Sequence, residues 1–303
     1  MRERAVLIAG PTASGKSALA LAVAERWARR GEAPLIVNAD AMQVYSGLRV
    51  LTARPSADDE ARVPHRLYGH VDPATSYSVA GWLEDVANLL RGPSPLVVVG
   101  GTGLYLSALT QGLSEMPPVP DDVREHWRRR AGETTTEVLH AELTRRDPAM
   151  AARLRPSDPQ RLTRALEVFE ATGRSLSHWQ GRRRPPLLHS VRRVVLAPDR
   201  AWLHRRIADR LDAMVADGAV EEASALAARG LPQDRPALKA VGVAHLSAAA
   251  RGDLPIARAM ELTARDTRRL AKRQETWFRN QFGDWPRAAP GDKNLADALL
   301  SNA

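Results

Sequence analysis

Eight consecutive residues, Gly10-Pro11-Thr12-Ala13-Ser14-Gly15-Lys16-Ser17, match the pattern G-x-x-x-x-G-K-[ST] at every fixed position. No other stretch constrains the fold as strongly, because this pattern works only as a turn between a buried strand and a helix. The flanks comply. Ala5-Val6-Leu7-Ile8-Ala9 is a short apolar run that reads as a buried strand, and Ser17 to Arg30 reads as an alanine-rich helix stopped by Gly31. In that order, consecutive backbone N–H groups and the helix N-terminus converge on one spot, so a phosphate or diphosphate is the expected ligand. Lys16 adds a full charge there, and the Ser17 hydroxyl is a candidate ligand for a magnesium ion.

Which phosphate it is must come from the other strands. Leu35-Ile36-Val37-Asn38 predicts a second buried strand and delivers Asp40 at its C-terminal end, where open α/β sheets place ligand-binding groups. A carboxylate there can coordinate magnesium, act as a general base or cap the next turn. Leu96-Val97-Val98-Val99 predicts the third strand, and it runs into Gly100-Gly101-Thr102-Gly103-Leu104-Tyr105. A nucleotide-hydrolysing enzyme with this loop carries an aspartate after such a run to hold its magnesium. Here glycines and a threonine stand in its place, which argues against nucleotide hydrolysis. The paired glycines predict a close approach of backbone to a ligand. His65, alone after Pro64, reads as structural.

From about Met116 the composition changes. Pro117-Pro118-Val119-Pro120 breaks the chain, and strongly apolar strands vanish until Val194-Val195-Leu196. An α/β core over residues 1–115 and 190–303, interrupted by a helical insertion over 116–189, is the expected organisation. Inside the insertion, Asp158-Pro159 is an N-cap followed by a first-turn proline, and Leu162, Ala165, Leu166 and Phe169 form one apolar stripe. Gln160, Arg161 and Arg164 lie off that stripe. After Leu196 the chain reads as helical almost to its end, apart from a break at Leu231 to Pro236. Leu203, Ile207, Leu211 and Met214 mark one buried stripe with Arg206 and Arg210 beside it; Arg265, Arg268, Arg269, Lys272 and Arg279 share one side of a later helix that Trp277 and Phe278 anchor.

Charge then becomes relevant. The formal net charge is +9 at a pI of about 10.6, which suggests a polyanionic partner such as nucleic acid. The chain has no cysteine, hence neither disulfides nor thiolate chemistry, and no apolar run of membrane-spanning length. The first predicted strand follows Met1 to Arg4 directly and leaves no room for a signal peptide, so a cytoplasmic protein is expected.

Taken in order, the phosphate loop, Asp40 to Tyr45, Gly100 to Tyr105, Asp158 to Glu167 and Lys272-Arg273-Gln274-Glu275-Thr276-Trp277-Phe278-Arg279 resemble the tRNA dimethylallyltransferase family, bacterial type, over nearly the whole chain. The resemblance implies an α/β core of the P-loop nucleoside triphosphate hydrolase type, with a parallel sheet, that binds dimethylallyl diphosphate, and an insertion that grips the anticodon stem-loop of tRNA. It implies transfer of the dimethylallyl group to the exocyclic amine of the flipped-out adenosine 3′ of the anticodon (position 37), in tRNAs reading codons that begin with U. It makes Asp40 the base, with Thr102 as a second catalytic residue, and assigns Gly10 to Ser17 and Arg206 to the diphosphate, Ser17 carrying Mg2+. It assigns Asp40, Ala41, Met42, Gln43, Thr102, Arg124, Gln160, Arg161, Leu162, Thr163, Arg164, Lys272, Arg273 and Arg279 to tRNA. A monomer is implied.

Two stretches depart from the family pattern. Val241-Gly242-Val243-Ala244-His245 replaces Ile-Gly-Tyr followed by a basic residue, and Ala41 replaces a serine. Two other readings use the same residues. A small-molecule P-loop kinase would employ Lys16, Ser17 and Asp40 but leaves the arginine-rich insertion without a role; a basic RNA-binding module would leave the intact loop beside Asp40 without one.

Overall fold

The apolar runs become strands of one parallel sheet. In a computed structural model that describes residues 5–301, the strands are β1 (Ala5–Ala9), β2 (Leu35–Asn38), β3 (His65–Arg66), β4 (Leu96–Gly100), β5 (Arg192–Leu196) and β6 (Arg287–Ala288). They pair in the order β3-β2-β4-β1-β5-β6, each neighbour parallel to the next. The expectation about the chain's first four residues lies outside the described ones.

β1 and β4 are buried at every position because both faces of the sheet are covered, which is why they read as unbroken apolar runs rather than as an alternation. On one face Leu7, Val37 and Val98 pack against Trp82, Leu106, Phe278 and Phe282. On the other, Val6, Ile8, Ile36 and Val97 meet Ala20, Val23, Ala24 and Trp27 of the helix Lys16–Arg29 that follows the loop. That helix starts from Gly15 at φ 85° and is followed by Gly31 at φ 83°, both left-handed conformations that glycine adopts without penalty.

Gly100 has a different reason to be glycine. A Cβ on it would lie 2.0 Å from the carbonyl oxygen of Ala39, because the ends of β4 and β2 close on one another just before Asp40. The close approach expected of the glycine pair is therefore to the protein's own chain: Gly101 faces the Gln274 side chain and Gly103 the Trp277 ring. We expect Gly100→Ala to lose about 1–3 kcal/mol of stability through overpacking, measured as a lower denaturation midpoint; an unchanged midpoint would mean that the strand ends part freely.

The chain divides into two compact units, one made of residues up to Thr110 together with those from Leu187 on, the other of Gln111–Pro186. The second unit is helical, with Trp127, Leu139, Leu143, Met150, Leu162 and Leu166 in its own core. Its helix Pro159–Thr172 begins as the sequence predicts, Asp158 accepting the Arg161 N–H at 3.2 Å with Pro159 in the first turn, and it ends at Gly173 in the left-handed region.

Candidate active site

Three strands of the first unit end at the same edge of the sheet and hand over to the residues of interest: β1 to Gly10, β2 to Asp40 and β4 to Gly101. The phosphate loop is tightly wound. The Ser14 N–H donates to the Pro11 carbonyl at 3.3 Å, and Ala13 takes φ 64°, an uncommon left-handed conformation for a residue with a Cβ. Ser14 is fully buried and its Oγ has no hydrogen-bond partner. Gly10 makes room for that hydroxyl, since a Cβ there would lie 2.6 Å from it. A buried donor left unpaired inside a ring of backbone amides is what an anion site needs.

Lys16 donates from Nζ to the Pro11 carbonyl at 3.2 Å. Burial lowers its pKa from 10.5 to about 8, the Asp40 carboxylate opposing that shift and the Arg210 guanidinium adding to it. Arg210, on the helix Arg200–Ala216, reaches the loop itself: its Nη2 donates to Thr12 Oγ1 at 2.5 Å. Its own pKa is lowered by burial and by neighbouring Arg206, with Asp40 opposing. Arg206, which the resemblance points to, is exposed and lies over the Trp202 ring at 5.3 Å, one helical turn before the guanidinium that touches the loop.

Asp40 sits in a rigid frame. Its N–H donates to Asn38 Oδ1 at 2.8 Å; Asn38 Nδ2 returns a bond to the Asp40 carbonyl at 2.9 Å and another to Leu67 at 3.0 Å. Trp82 Nε1 holds the Asn38 carbonyl at 2.7 Å. One carboxylate oxygen, Oδ1, accepts the Met42 N–H at 2.9 Å, and the other has no hydrogen bond among the described residues. Thr102 clasps this loop from β4's end: its Oγ1 accepts the Ala41 N–H at 2.9 Å and its N–H donates to the Ala39 carbonyl at 3.1 Å. Gln43 donates from Nε2 to the carbonyls of Thr52 and Ala53 at 2.7 and 3.1 Å. Burial raises the hydroxyl pKa values of Tyr68 and Tyr105, and the nearby Asp40 charge adds to both. His65 lies on β3 with Nδ1 on the Val63 carbonyl at 2.8 Å, the structural place expected of it.

Gln274 lies in the Lys272-to-Arg279 stretch that the resemblance assigns to tRNA, and its side chain bonds within the protein. Its Oε1 accepts the Thr12 N–H at 2.8 Å and its Nε2 donates to the Gly101 carbonyl at 3.0 Å. It belongs to the helix Ile256–Gln281, whose Lys272, Arg273 and Arg279 are exposed, while Phe278 is buried against the sheet. Between this helix and Arg200–Ala216 runs a cleft lined by Arg200, His204, Arg265, Arg268, Lys272 and Arg279. Asp266 pairs with Arg265 and Arg269 and accepts from His245 at 3.0 Å; Arg200, Arg268, Lys272 and Arg279 have no carboxylate partner among the described residues. The sequence signal for Gln274 and Arg210 was their helical spacing from anchored neighbours, which tells the side of a helix but not what that side meets.

In the second unit Gln160 and Arg161 are exposed, and Arg164 is half-buried and paired with Glu167 at 3.1 Å. Leu162 and Thr163 of the same helix are buried, Leu162 within the core of this unit. Arg124 is half-buried, bonded to Asp121 at 3.1 Å and to the Val119 carbonyl at 3.2 Å.

Comparison with known proteins adds relatives to this geometry. A family model described as IPP transferase matches residues 43–281. A tRNA dimethylallyltransferase of Methylocella silvestris is 53% identical over 302 residues, covering 97% of both chains. One of Azorhizobium caulinodans is 52% identical over 297 residues, 96% of this chain and 93% of the relative. Among solved structures, the full-length tRNA isopentenylpyrophosphate transferase of Bacillus halodurans superimposes with a TM-score of 0.66 at 30% identity, covering 99% of this chain and 94% of that one. A eukaryotic dimethylallyltransferase acting on tRNA reaches a TM-score of 0.79 at 23% identity, covering 97% and 76%.

Proposed function

The chain belongs to the IPP transferase family, whose bacterial relatives are tRNA dimethylallyltransferases, and from that premise we propose that it moves the dimethylallyl group of dimethylallyl diphosphate onto tRNA. The acceptor is the exocyclic amine of the adenosine 3′ of the anticodon, position 37, in tRNAs reading codons that begin with U. The observation that carries the reading is the meeting of a phosphate loop with one carboxylate, Asp40, rather than with the aspartate that nucleotide hydrolysis needs after β4. A kinase gains no support from the relatives.

The chemistry then follows from the residues. The amine nitrogen attacks the allylic carbon as the bond from that carbon to the diphosphate oxygen breaks. The N–H proton passes to the Asp40 oxygen that Met42 does not hold, and the electron pair of the broken bond leaves with diphosphate. Lys16, Arg210 and the loop's N–H groups meet the charge that develops there. Thr102 keeps Asp40 in register by holding both of its backbone neighbours.

A magnesium ion, a hard cation that takes oxygen ligands, fits the oxygen donors at this site. Among the described residues no group of three or more His, Cys, Asp or Glu side chains is placed to hold a metal, and Ser17, with its exposed hydroxyl in the first turn after the loop, would be the residue that holds it. When bound, the ion would neutralise part of the diphosphate charge.

The anticodon stem-loop is taken by the exposed cations of the long helix and by Gln160, Arg161 and Arg164 of the insertion, with Arg124 of the insertion's helix Asp121–Glu133. We place the enzyme in the cytoplasm as a monomer; among the described residues no helix is long and apolar enough to cross a membrane. If the cleft cations neutralise phosphates, log affinity for the RNA should fall linearly with log salt, each of Lys272→Ala and Arg279→Ala reducing the slope by about 1. A slope near zero would exclude them.

The reading is tested by incubating the protein with dimethylallyl diphosphate and an anticodon stem-loop RNA. Mass spectrometry should find one C5H8 unit added to the adenosine. No gain with dimethylallyl diphosphate, but phosphoryl transfer with ATP, would return the kinase reading.

A further inference from the structure

We propose that Gln274 is a positioning residue that couples RNA engagement on the helix Ile256–Gln281 to the diphosphate loop and to Asp40. This rests on the function proposed above. One amide bridges two segments far apart in the sequence, accepting from Thr12 N–H at 2.8 Å and donating to the Gly101 carbonyl at 3.0 Å. Only one orientation of the amide satisfies both, because the flipped group would set donor against donor and acceptor against acceptor. Gly101 is shaped for the contact, since a Cβ there would lie 2.2 Å from Gln274 Nε2.

Three residues on, and so on the same helical face, Trp277 fills the space over Gly103, where a Cβ would come within 2.1 Å of its ring. The helix is thus seated on the Gly101–Gly103 turn at two points. The same turn contains Thr102, which holds the Ala39 carbonyl and the Ala41 N–H on either side of Asp40. A displacement of the helix therefore reaches the loop through Thr12 and the base through Thr102. The exposed cations Lys272 and Arg273 stand immediately before Gln274, and Arg279 follows five residues later, so a polyanion gripping them bears on this joint.

A staple that merely held the helix down would affect stability and both ligands alike. Coupling is a separate quantity: the factor by which one ligand changes the affinity for the other, equal in both directions. The measurement is the Kd of an unreactive thiolo analogue of dimethylallyl diphosphate with and without saturating anticodon stem-loop RNA, by calorimetry, alongside the melting temperature. The native protein should bind the analogue about 5–20-fold more tightly with RNA present. Gln274→Ala should bring that factor close to 1, with the analogue's Kd in the absence of RNA changing less than about threefold.

Gln274→Glu keeps an acceptor for Thr12 and loses the donor to Gly101, so it too should lose coupling, and it decides the question if the alanine variant does not fold. A coupling factor that stays at the native value in either folded variant, or a native protein that binds both ligands without coupling, overturns the proposal and leaves the function standing. A native protein that binds neither RNA nor analogue overturns the function, and this proposal with it.

Discussion

Asp40→Asn is expected to retain both substrates and to lower the single-turnover rate by about 10²–10⁴-fold, the usual worth of a positioned general base. An adenine exocyclic amine is a poor nucleophile because its lone pair is delocalised into the ring, so a group that takes the proton as the new bond forms matters greatly. Asparagine preserves the shape, and its oxygen can still accept the Met42 N–H that Asp40 Oδ1 accepts at 2.9 Å. It cannot take a proton. The surrounding frame of Asn38, Trp82 and Thr102 bonds to backbone and is untouched by the change, so the loop should keep its form. A rival role for Asp40 is magnesium coordination. In that case the variant would lose diphosphate affinity, and added magnesium would restore part of the rate. Single-turnover rate against magnesium concentration separates the two, and an unchanged rate at saturation would exclude both.

The parts of this molecule that were legible in the sequence are those where one local physical requirement fixes the outcome. Strands buried on both faces need unbroken apolar runs, and β1, β2 and β4 announce themselves in that way, as does the buried Val194-Val195-Leu196 end of β5 behind its two half-buried arginines. β3 and β6 do not, being two residues each at the sheet's edges and carrying Arg66 and Arg287; their pairing is decided by neighbours distant in sequence, and the region of β6 read as helix to near the end. The loop and Asp40 were legible because the turn and the strand end are both local.

Choosing between Arg206 and Arg210 was not possible from spacing, since residues four apart share one helical face. The packing of Leu203 and Ile207 against Ala13 of the loop fixes how the helix lies, and the guanidinium that then reaches Thr12 is that of Arg210. The glycines after β4 carried a signal of close approach, and within the protein that approach is made by Ala39, Gln274 and Trp277. Leu162 lies in the core that the stripe read from the sequence predicts.

Lys16→Ala should weaken diphosphate binding by about tenfold to a hundredfold, the range of a lost charge-assisted bond of roughly 1.5–3 kcal/mol, while tRNA affinity stays within a few-fold because the cations of the long helix are separate from it. Its pH dependence makes the assignment specific. Burial lowers the Lys16 pKa to about 8, and a diphosphate beside it favours the ammonium and raises that value again. Binding therefore takes up a proton above pH 8. Affinity should be level below that pH and fall by up to tenfold per unit as pH rises from about 8 toward the pKa of the complex. The folded protein binds fewer protons here than an unfolded chain whose lysine titrates at 10.5, so the same group makes stability rise with pH between those values. Calorimetry of diphosphate binding at pH 8.5 in two buffers of different ionisation enthalpy reads the proton directly. Uptake should be present in the native protein and absent in Lys16→Ala and in Lys16→Arg, whose guanidinium does not titrate in this range. Equal uptake in all three would assign the proton to another group, and equal loss of diphosphate and tRNA affinity in the alanine variant would point to a damaged fold rather than a missing charge.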